Sequence, residues 1–185
     1  MKISILVLAS TFALNLISFT AQAQKTVMVG GEEMFPLKNI IQNAVNSKDH
    51  TTLVAAVKAA GLVETLQSKG PFTVFAPVND AFENLPAGTV ETLLKPENKA
   101  TLVKILTYHV VAGKYNFDDL AKLIKAGKGK SSLKTVSGGM LTFMMNGSHN
   151  ISVKDESGNV ANISTYDVTQ SNGVIQVIDH VLLPK

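Results

Sequence analysis

The chain has 185 residues, of which 45% are hydrophobic and 17% are charged, and 17 basic against 14 acidic side chains leave a net charge of +3. Every basic side chain is a lysine, and this small excess of charge without arginine argues against nucleic acid as a partner. The sequence contains no cysteine and no tryptophan, so disulfide scaffolds, thiolate metal sites and thiol catalysis are excluded, and a single globular domain is expected.

The first 23 residues have the pattern of a secretory signal peptide. Lys2 precedes an apolar run over residues 5–19, and the small-x-small motif Ala21-Gln22-Ala23 follows it. Serine, threonine and asparagine interrupt the run, so it is a poor membrane span, and a retained membrane anchor is the alternative. We therefore predict cleavage after Ala23, export to the periplasm or the medium, and a mature protein without a stable membrane span.

The mature chain is predicted to begin with a flexible leader over residues 24–36, which contains paired glycines and glutamates and shows little periodicity. The folded domain then covers residues 37–185. Helical spacing of apolar residues dominates its first half and predicts helices over residues 37–45, 50–60, 89–94, 96–106 and 117–126. Asp49 and Asn116 are expected N-caps, and Gly61 and Gly127 are expected to end their helices.

Strand signals are sparse in the first half and dense in the second. Residues 72–76 and 108–111 are short apolar segments that predict strands. Beyond Lys130 the apolar residues no longer follow helical spacing and occur in short runs. Turn-forming residues such as Asn146-Gly147 separate these runs, which predict strands over residues 133–136, 140–145, 151–154, 160–163 and 174–183. Helices dominate the first half of the domain and antiparallel hairpins dominate the second half. This order of elements indicates an α+β domain.

No motif points to catalysis, a nucleotide or a metal. The segment 126–131, Ala-Gly-Lys-Gly-Lys-Ser, lacks the first glycine of a phosphate-binding loop, because Ile124 occupies that position. No Gly-x-Ser-x-Gly elbow is present. The histidines show no i, i+2 or i, i+4 pairing typical of metal ligands; they are His50, His109, His149 and His180. We predict no metal, no cofactor and no catalytic residue, and a site assembled from distant segments stays open.

A methionine-rich stretch at residues 140–145 admits two interpretations. Met140, Met144 and Met145 lie with Leu141 and Phe143 in one predicted strand. Methionine fills gaps in cores, and it also lines adaptable binding surfaces. We favour the core because exposed apolar patches generally require a partner. A pocket for a small apolar ligand is the alternative.

Three segments, taken in order, resemble the signatures of the fasciclin domain family. Residues 70–82, Gly-Pro-Phe-Thr-Val-Phe-Ala-Pro-Val-Asn-Asp-Ala-Phe, are similar to its first signature, and Tyr108-His109-Val110-Val111 is similar to its Tyr-His motif. Residues 171–184, which begin Ser-Asn-Gly-Val-Ile-Gln-Val-Ile-Asp, are similar to its second signature. The resemblance covers residues 37–185. Threonine is common where this chain has Val78, and histidine is common where it has Gln176, which does not titrate near neutral pH.

The resemblance implies a fasciclin-like fold in which helices pack on a wedge of mostly antiparallel strands. In animal members an Asp-Ile dipeptide and the Tyr-His segment have been assigned to receptor binding, and the matching positions here are Asp167-Val168 and Tyr108-His109. A strand would place Tyr108 and His109 on opposite faces, so at least one ring is expected to be buried, and a purely structural role is the alternative. Structural roles are also implied for the motif residues Thr73, Phe75, Pro77, Asn79, Asp80, Phe82, Asn172, Gly173 and Asp179.

The function that the resemblance implies is a secreted or surface-exposed, non-enzymatic adhesion module. Its expected partners are a cell-surface or matrix protein or polysaccharide, bound by a monomer or weak oligomer. Two alternatives remain, an extracytoplasmic carrier of a small apolar ligand and an extracytoplasmic enzyme.

Overall fold

The computed structural model describes residues 26–185, so the predicted signal peptide, residues 1–23, lies outside the described residues. The described helices are α1 (Ile40–Ala44), α2 (Thr51–Ala60), α3 (Val63–Gln67), α4 (Asn79–Glu83), α5 (Thr89–Leu93), α6 (Lys99–Tyr108) and α7 (Phe117–Ala126), with 3₁₀ turns at Lys48–His50 and Pro96–Asn98. The described strands are β1 (Val27–Val29), β2 (Glu32–Met34), β3 (Phe72–Pro77), β4 (Val110–Ala112), β5 (Lys130–Lys134), β6 (Met140–Asn146), β7 (Asn150–Lys154), β8 (Val160–Gln170) and β9 (Gly173–Ile178).

The segment expected to be a flexible leader instead contains an antiparallel β-hairpin. β1 and β2 pair along their whole length, and Val29 and Met34 are buried against the helices. Gly30 in the turn has a φ of 61°, and a Cβ at this position would lie 2.5 Å from the Ser47 Oγ, so glycine is required there. The prediction of a flexible leader is therefore wrong for residues 27–34, because two apolar side chains anchor the hairpin in the core.

Seven strands form one curved sheet in the order β4-β3-β9-β8-β7-β6-β5. Neighbouring strands are antiparallel except for the central pair of β3 and β9, which is parallel. A β-bridge between Val111 and Thr135 joins β4 to the residue after β5 and closes the sheet into a barrel-like wall. Helices combined with this mostly antiparallel sheet confirm the predicted α+β class.

Two apolar cores lie on the two sides of the sheet. Along β3, Val74 and Ala76 face a helical core that also contains side chains of α1, α2, α3 and α6. Phe75 faces the opposite way, into a barrel core. Helix α7 contributes Leu120 and Ile124 to the barrel core and packs against β5 and β6. Side-chain alternation along each strand thus divides the sheet between the two cores.

Most predicted elements are confirmed, and the differences lie at their ends. Gly61 ends α2 in the left-handed conformation with a φ of 73°, and Asn116 is the N-cap residue of α7, as predicted. The predicted strand over residues 108–111 is wrong at its start, because Tyr108 is the last residue of α6. β8 runs to Gln170, beyond the predicted residue 163, and β9 ends at Ile178 rather than at residue 183.

Candidate functional site

Tyr108 is fully buried at the end of α6. Its hydroxyl donates to the Met140 carbonyl oxygen at 2.8 Å and accepts from the Glu156 N–H at 3.0 Å. Burial raises the pKa of Tyr108 to about 12, so the phenol stays protonated. The expectation that Tyr108 and His109 occupy opposite faces of a strand is wrong, because Tyr108 is helical and both rings are buried. Tyr108 therefore joins α6 to β6 and to the turn between β7 and β8.

His109 links the end of α6 to the C-terminal segment. Its Nδ1 lies 2.9 Å from the Ile105 carbonyl oxygen, and its Nε2 lies 3.0 Å from the Leu182 backbone nitrogen. A carbonyl can only accept and an amide N–H can only donate, so Nδ1 carries the proton and Nε2 is the acceptor. Burial lowers the pKa of His109 to about 4, against smaller opposing effects of the Ile105 carbonyl and Asp155. His109 is thus a neutral bridge with both ring nitrogens occupied.

Asp167 and Gln176 bind each other across an irregularity in the pairing of β8 with β9. The register shifts between Thr165 and Val168, and Asp167 adopts a φ of 59° there, which aspartate tolerates better than most residues. The Asp167 N–H donates to the Gln176 Oε1 at 3.1 Å, and the Gln176 Nε2 donates to the Asp167 Oδ1 at 2.9 Å. The fully buried Gln176 also donates to the Tyr115 carbonyl oxygen at 3.1 Å.

The loop that leads into α7, residues 113–116, is held by side chains of β3, β8 and β9. The Asp167 Oδ1 accepts from the N–H of the first α7 residue at 2.8 Å. The Thr73 hydroxyl donates to the Gly113 carbonyl oxygen at 2.7 Å and accepts from the Tyr115 N–H at 2.9 Å. A carboxylate at this position also complements the positive end of the α7 dipole. Thr73 and Gln176 of the two signatures therefore fasten this loop, and Asp167 of β8 orients the helix that closes the barrel core.

Asn172 joins three segments of the helical side. Its Oδ1 accepts from the Ile40 N–H at 3.0 Å, and its Nδ2 donates to the carbonyl oxygens of Leu66 and Ser68, both at 2.8 Å. The side chain is buried, and each of these bonds spans more than 100 residues of sequence. Asn172 thus holds the start of α1 and the end of α3 against the turn before β9.

Other motif residues serve close packing. Phe75 is fully buried in the barrel core, Pro77 is buried at the end of β3, and Phe82 packs on the helical core. Gly173 lies so close to β3 that a Cβ would be 2.1 Å from the Phe72 carbonyl oxygen. This packing supports the structural roles that the resemblance implies for these residues, and those roles stay a prediction.

Asn79 caps a helix other than its own. It is the first residue of α4, yet its Oδ1 accepts from the Thr52 N–H in the first turn of α2 at 3.1 Å. Its Nδ2 donates to the Lys48 carbonyl oxygen at 2.8 Å. Asp49, the predicted cap of α2, lies in the preceding 3₁₀ turn, so that prediction is wrong because a distant side chain supplies the cap. Asp80 is exposed.

Asp179 fastens the end of β9 to β8. Its Oδ1 accepts from the Asn162 N–H at 2.7 Å, and its Oδ2 accepts from the Asn162 Nδ2 at 3.0 Å. The His180 Nδ1 lies 2.9 Å from the Asp179 Oδ1. Burial acts to raise the pKa of Asp179, but the hydrogen bonds from His180 and Asn162 outweigh it and lower the pKa. The carboxylate is therefore ionised and bound within the protein.

An exposed surface covers the outer side of strands β5 to β8. Its side chains point away from the barrel core, and all except the buried Ser152 are exposed or half-buried. We call it the outer face: Lys130, Ser132, Lys134, Met140, Thr142, Met144, Ser152, Lys154, Val160 and Asn162. Met140 and Val160 are 39% and 42% exposed. The face contains three lysines and no acidic residue. A sequence signal for it exists in β5, where residues 130, 132 and 134 alternate with Ser131 and Leu133.

The methionine-rich strand is divided between the two sides of the sheet. Leu141 and Phe143 are buried in the barrel core, and Met145 packs against them. Met140 and Met144 belong to the outer face. The core interpretation is therefore correct for Met145 and wrong for Met140 and Met144, because successive side chains of a strand point to opposite faces.

An apolar cavity of about 100 Å³ lies in the helical core. Side chains of α2, α3, β3 and β9 line it, including Val57, Leu66 and Val74. Val45 and Val136 also line it and are 47% and 49% exposed, so the cavity reaches the surface. No residue of the stretch 140–145 is among its described lining residues, so this cavity is not the pocket that the stretch was expected to line.

The described part of the chain offers neither a cluster of metal ligands nor a membrane-spanning helix. In residues 26–185, no three histidine, aspartate or glutamate side chains come together as a metal site would require. None of the helices in this range is long and apolar enough to cross a membrane.

The barrel-like sheet, its two cores and the internally bonded signature residues define an α+β domain of the fasciclin type. The fasciclin domain family matches residues 48–184, and the chain belongs to this family. Protein sll1483 of Synechocystis sp. is 48% identical over 163 residues, which are 87% of this chain and 82% of that protein. Immunogenic protein MPB70 of Mycobacterium bovis is 36% identical over 146 residues, which are 76% of this chain and 66% of that protein.

A solved structure confirms the predicted fasciclin-like fold. It is a FAS1 domain pair from the insect cell adhesion molecule Fasciclin I, with a TM-score of 0.70 at 20% sequence identity. The match covers 80% of this chain and 51% of that chain.

The four residues that the resemblance implied for partner binding are engaged inside the domain. Tyr108, His109 and Val168 are buried, and the Asp167 carboxylate is bound by internal donors. Partner contact by these residues stays a prediction, and their burial supports the structural alternative.

Proposed function

We propose that the chain is an exported, non-enzymatic interaction module that binds a protein or polysaccharide of a cell surface or matrix. Membership of the fasciclin family supports the proposal, and so does the signal-peptide pattern of residues 1–23. The similar insect protein is named a cell adhesion molecule. The observation that carries the proposal is the outer face, because it offers exposed apolar and basic groups outside the buried signature network.

The outer face combines apolar contact area with positive charge. Each of its lysines pairs across strands with an apolar residue: Lys130 with Met144, Lys134 with Met140, and Lys154 with Val160. A lysine can lay its aliphatic stem along such a neighbour while its ammonium group stays in water. The face therefore suits a partner that presents both apolar and anionic groups.

Two acidic groups of the described residues 26–185 contact the outer face at its margins. The Glu156 carboxylate accepts from the Met140 N–H at 2.9 Å, and the Asp179 carboxylate is bound by Asn162. Within residues 26–185, the three lysines of the face make no ion pair, so their charge is available to a partner. Contacts from three lysines give modest affinity for one copy, and display of several copies raises the overall affinity.

Binding of residues 24–185 to immobilised cell-surface and matrix fractions tests the proposal. The double variant Lys134→Glu with Lys154→Glu reverses two charges of the outer face. The control, Lys69→Glu with Lys95→Glu, reverses two exposed lysines outside it and changes the net charge equally. We expect the outer-face variant to lose about tenfold or more in affinity and the control to bind like the unchanged protein. Equal affinity of the two variants, or no binding of the unchanged protein to any fraction, contradicts the proposal.

A second candidate function is carriage of a small apolar ligand, and the cavity in the helical core is the observation that favours it. Its lining is largely apolar and it reaches the surface, as a ligand site requires. Native and then denaturing mass spectrometry of the protein purified from its own host tests this function. A stoichiometric small molecule released on denaturation supports it, and protein of the bare polypeptide mass counts against it.

A further inference from the structure

The chain contains two Asn-Gly dipeptides, and the fold places them in opposite surroundings. Asn146-Gly147 ends β6, and both of its residues are exposed. Asn172-Gly173 leads into β9, and both of its residues are buried. An asparagine followed by glycine is prone to lose its side-chain amide, because no Cβ shields the glycine nitrogen and the glycine backbone rotates freely. The two sites therefore share one chemistry and differ in tertiary structure alone.

The Asn146 side chain is weakly restrained. Its Nδ2 makes one exposed hydrogen bond, to the Asn162 Oδ1 at 3.2 Å, which is at the long end of the normal range. Gly147 begins the turn at residues 147–149 with a φ of 78°, and no atom lies within 4 Å of the position that a Cβ would take. Within residues 26–185, the Gly147 N–H has no hydrogen-bond partner. Both reacting groups are thus open to solvent and free to approach each other.

The Asn172 side chain is fixed on every side. Its Oδ1 accepts from the Ile40 N–H, and its Nδ2 donates to two backbone carbonyl oxygens. Gly173 is paired with β3 on one side and with β8 on the other. A Cβ on Gly173 would lie 2.1 Å from the Phe72 carbonyl oxygen, so the backbone has no room to rotate. Reaction at Asn172 requires these bonds to open first.

We propose that Asn146 is a site of spontaneous deamidation and that the fold protects Asn172 from the same reaction. The Gly147 nitrogen attacks the Asn146 Cγ, the Cγ–Nδ2 bond breaks, and ammonia leaves with the proton of the Gly147 N–H. The product is a five-membered imide that joins the side chain to the backbone. Water then adds to one of the two imide carbonyl carbons and opens the ring to aspartate or isoaspartate. Water is the co-reactant, and no enzyme takes part.

The reaction places a carboxylate at the edge of the outer face. The Asn146 side chain contacts Asn162 of that face, and Asn146 lies two residues beyond Met144, the cross-strand partner of Lys130. A strand spacing of about 4.8 Å and a rise of about 3.4 Å per residue put the Cα atoms of Asn146 and Lys130 about 8 Å apart. This separation is within about one Debye length at physiological ionic strength. Deamidation therefore adds a negative charge close to a lysine of a face without acidic residues.

Isoaspartate also changes the backbone. It inserts one methylene into the main chain at Asn146, where β6 pairs with Asn150 of β7. The end of this hairpin should therefore loosen in the isoaspartate form and stay closed in the aspartate form. The modification does not depend on the proposed function, because a mass measurement detects it whether or not the outer face binds a partner.

Peptide mapping of residues 24–185 after incubation at neutral pH tests the inference. Cleavage after lysine releases Asn146 and Asn172 in separate peptides, residues 135–154 and 155–185. Chromatography with mass spectrometry separates asparagine, aspartate and isoaspartate forms of each peptide. We expect Asn146 to convert at least about tenfold faster than Asn172, because reaction at Asn172 waits for a local opening of the fold. In urea-unfolded protein the two sites should convert at similar rates.

The variant Asn146→Gln is the matched control. Glutamine keeps the amide, but its longer side chain would have to form a six-membered imide, which closes far more slowly. The peptide of residues 135–154 should then stay unconverted although it still contains Asn150. Conversion that persists in this variant assigns the reaction to Asn150 and overturns the inference.

Two other results also overturn it. If Asn146 converts in urea but not in the folded protein, the hairpin holds the side chain in an unreactive geometry. If Asn146 and Asn172 convert equally fast in the folded protein, tertiary structure does not select between the two sites.

Discussion

Asp167 and Gln176 hold each other through two hydrogen bonds, one from the Asp167 N–H to the Gln176 Oε1 and one from the Gln176 Nε2 to the Asp167 Oδ1. The same two side chains bind the Tyr115 carbonyl oxygen and the first N–H of α7. A short irregularity between β8 and β9 thereby orients the helix that closes the barrel core. Because glutamine does not titrate near neutral pH, the Gln176 side chain keeps this bonding across the physiological range.

Replacement of Asp167 should weaken the fold measurably. Asp167→Ala leaves the first N–H of α7 and the Gln176 Nε2 without their acceptor and places alanine at a φ of 59°. We expect the free energy of unfolding to fall by about 2–4 kcal/mol in urea titrations at pH 7. Asp118→Ala is the control, because Asp118 is an exposed acid in the first turn of α7, and its loss should have a much smaller effect. Similar losses for the two variants would contradict this role of Asp167.

The stability of the fold should depend on the Asn172 side chain, both on its presence and on its amide group acting as a hydrogen-bond donor. Asn172→Ala removes three buried hydrogen bonds, and Asn172→Asp turns an acceptor toward the carbonyl oxygens of Leu66 and Ser68. Each variant should lose about 3 kcal/mol or more of unfolding free energy, measured by urea denaturation. Asn46→Ala, which removes one exposed bond to the Gln42 carbonyl, should stay close to the unchanged protein. A stable Asn172→Asp variant would show that the three-segment junction is unimportant.

Because His109 is buried in its neutral form, the protein should become less stable in mild acid. Its pKa in the folded protein, about 4, lies below the ordinary value of 6.5, so the unfolded chain takes up the proton first as the pH falls. The stabilisation is complete above pH 6.5 and is lost progressively between pH 6.5 and 4, by up to about 3 kcal/mol. The lowered pKa of His50 acts in the same direction.

Urea titrations across this pH range check the prediction for His109. His109→Gln should be less stable at pH 7 and should show a shallower loss of stability between pH 6.5 and 4. His149→Gln, at an exposed histidine, should keep the full pH dependence. An unchanged slope in His109→Gln would rule out His109 as the main source of acid sensitivity.

Replacement of Asn79 should destabilise the protein much more than replacement of its neighbour Asp80, although both residues lie at the start of α4. Asn79→Ala removes the cap of α2 and the bond to the Lys48 carbonyl, and it should cost about 1–2 kcal/mol. Asp80→Ala changes an exposed residue and should cost much less. Thermal unfolding followed by circular dichroism measures both, and hydrogen exchange at the Thr52 amide shows whether the loss is local to α2. Equal effects would mean that the cap across elements adds nothing.

The sequence by itself determined the α+β class, most helices and strands, and the family. These features follow from signals that act within one or two turns of the chain. The signals are the spacing of apolar residues, a glycine such as Gly61 after a helix, and an N-cap residue such as Asn116. The motif residues could be named in the same way, since their order along the chain carries the resemblance. The outer face could not be predicted in this way, because the strand expected at residues 133–136 spans Lys130–Lys134, and Ser131 on the core side is as polar as Ser132 on the outer side.

Only the tertiary structure decided what those residues do. Asn79 caps α2 from a distant segment, Asn172 bridges more than 100 residues, and the hairpin at residues 27–34 exists because Val29 and Met34 reach a core built by later parts of the chain. The apolar cavity likewise arises where several elements meet. Burial and hydrogen-bond partners depend on the whole packed chain, so no local pattern of residues can specify them.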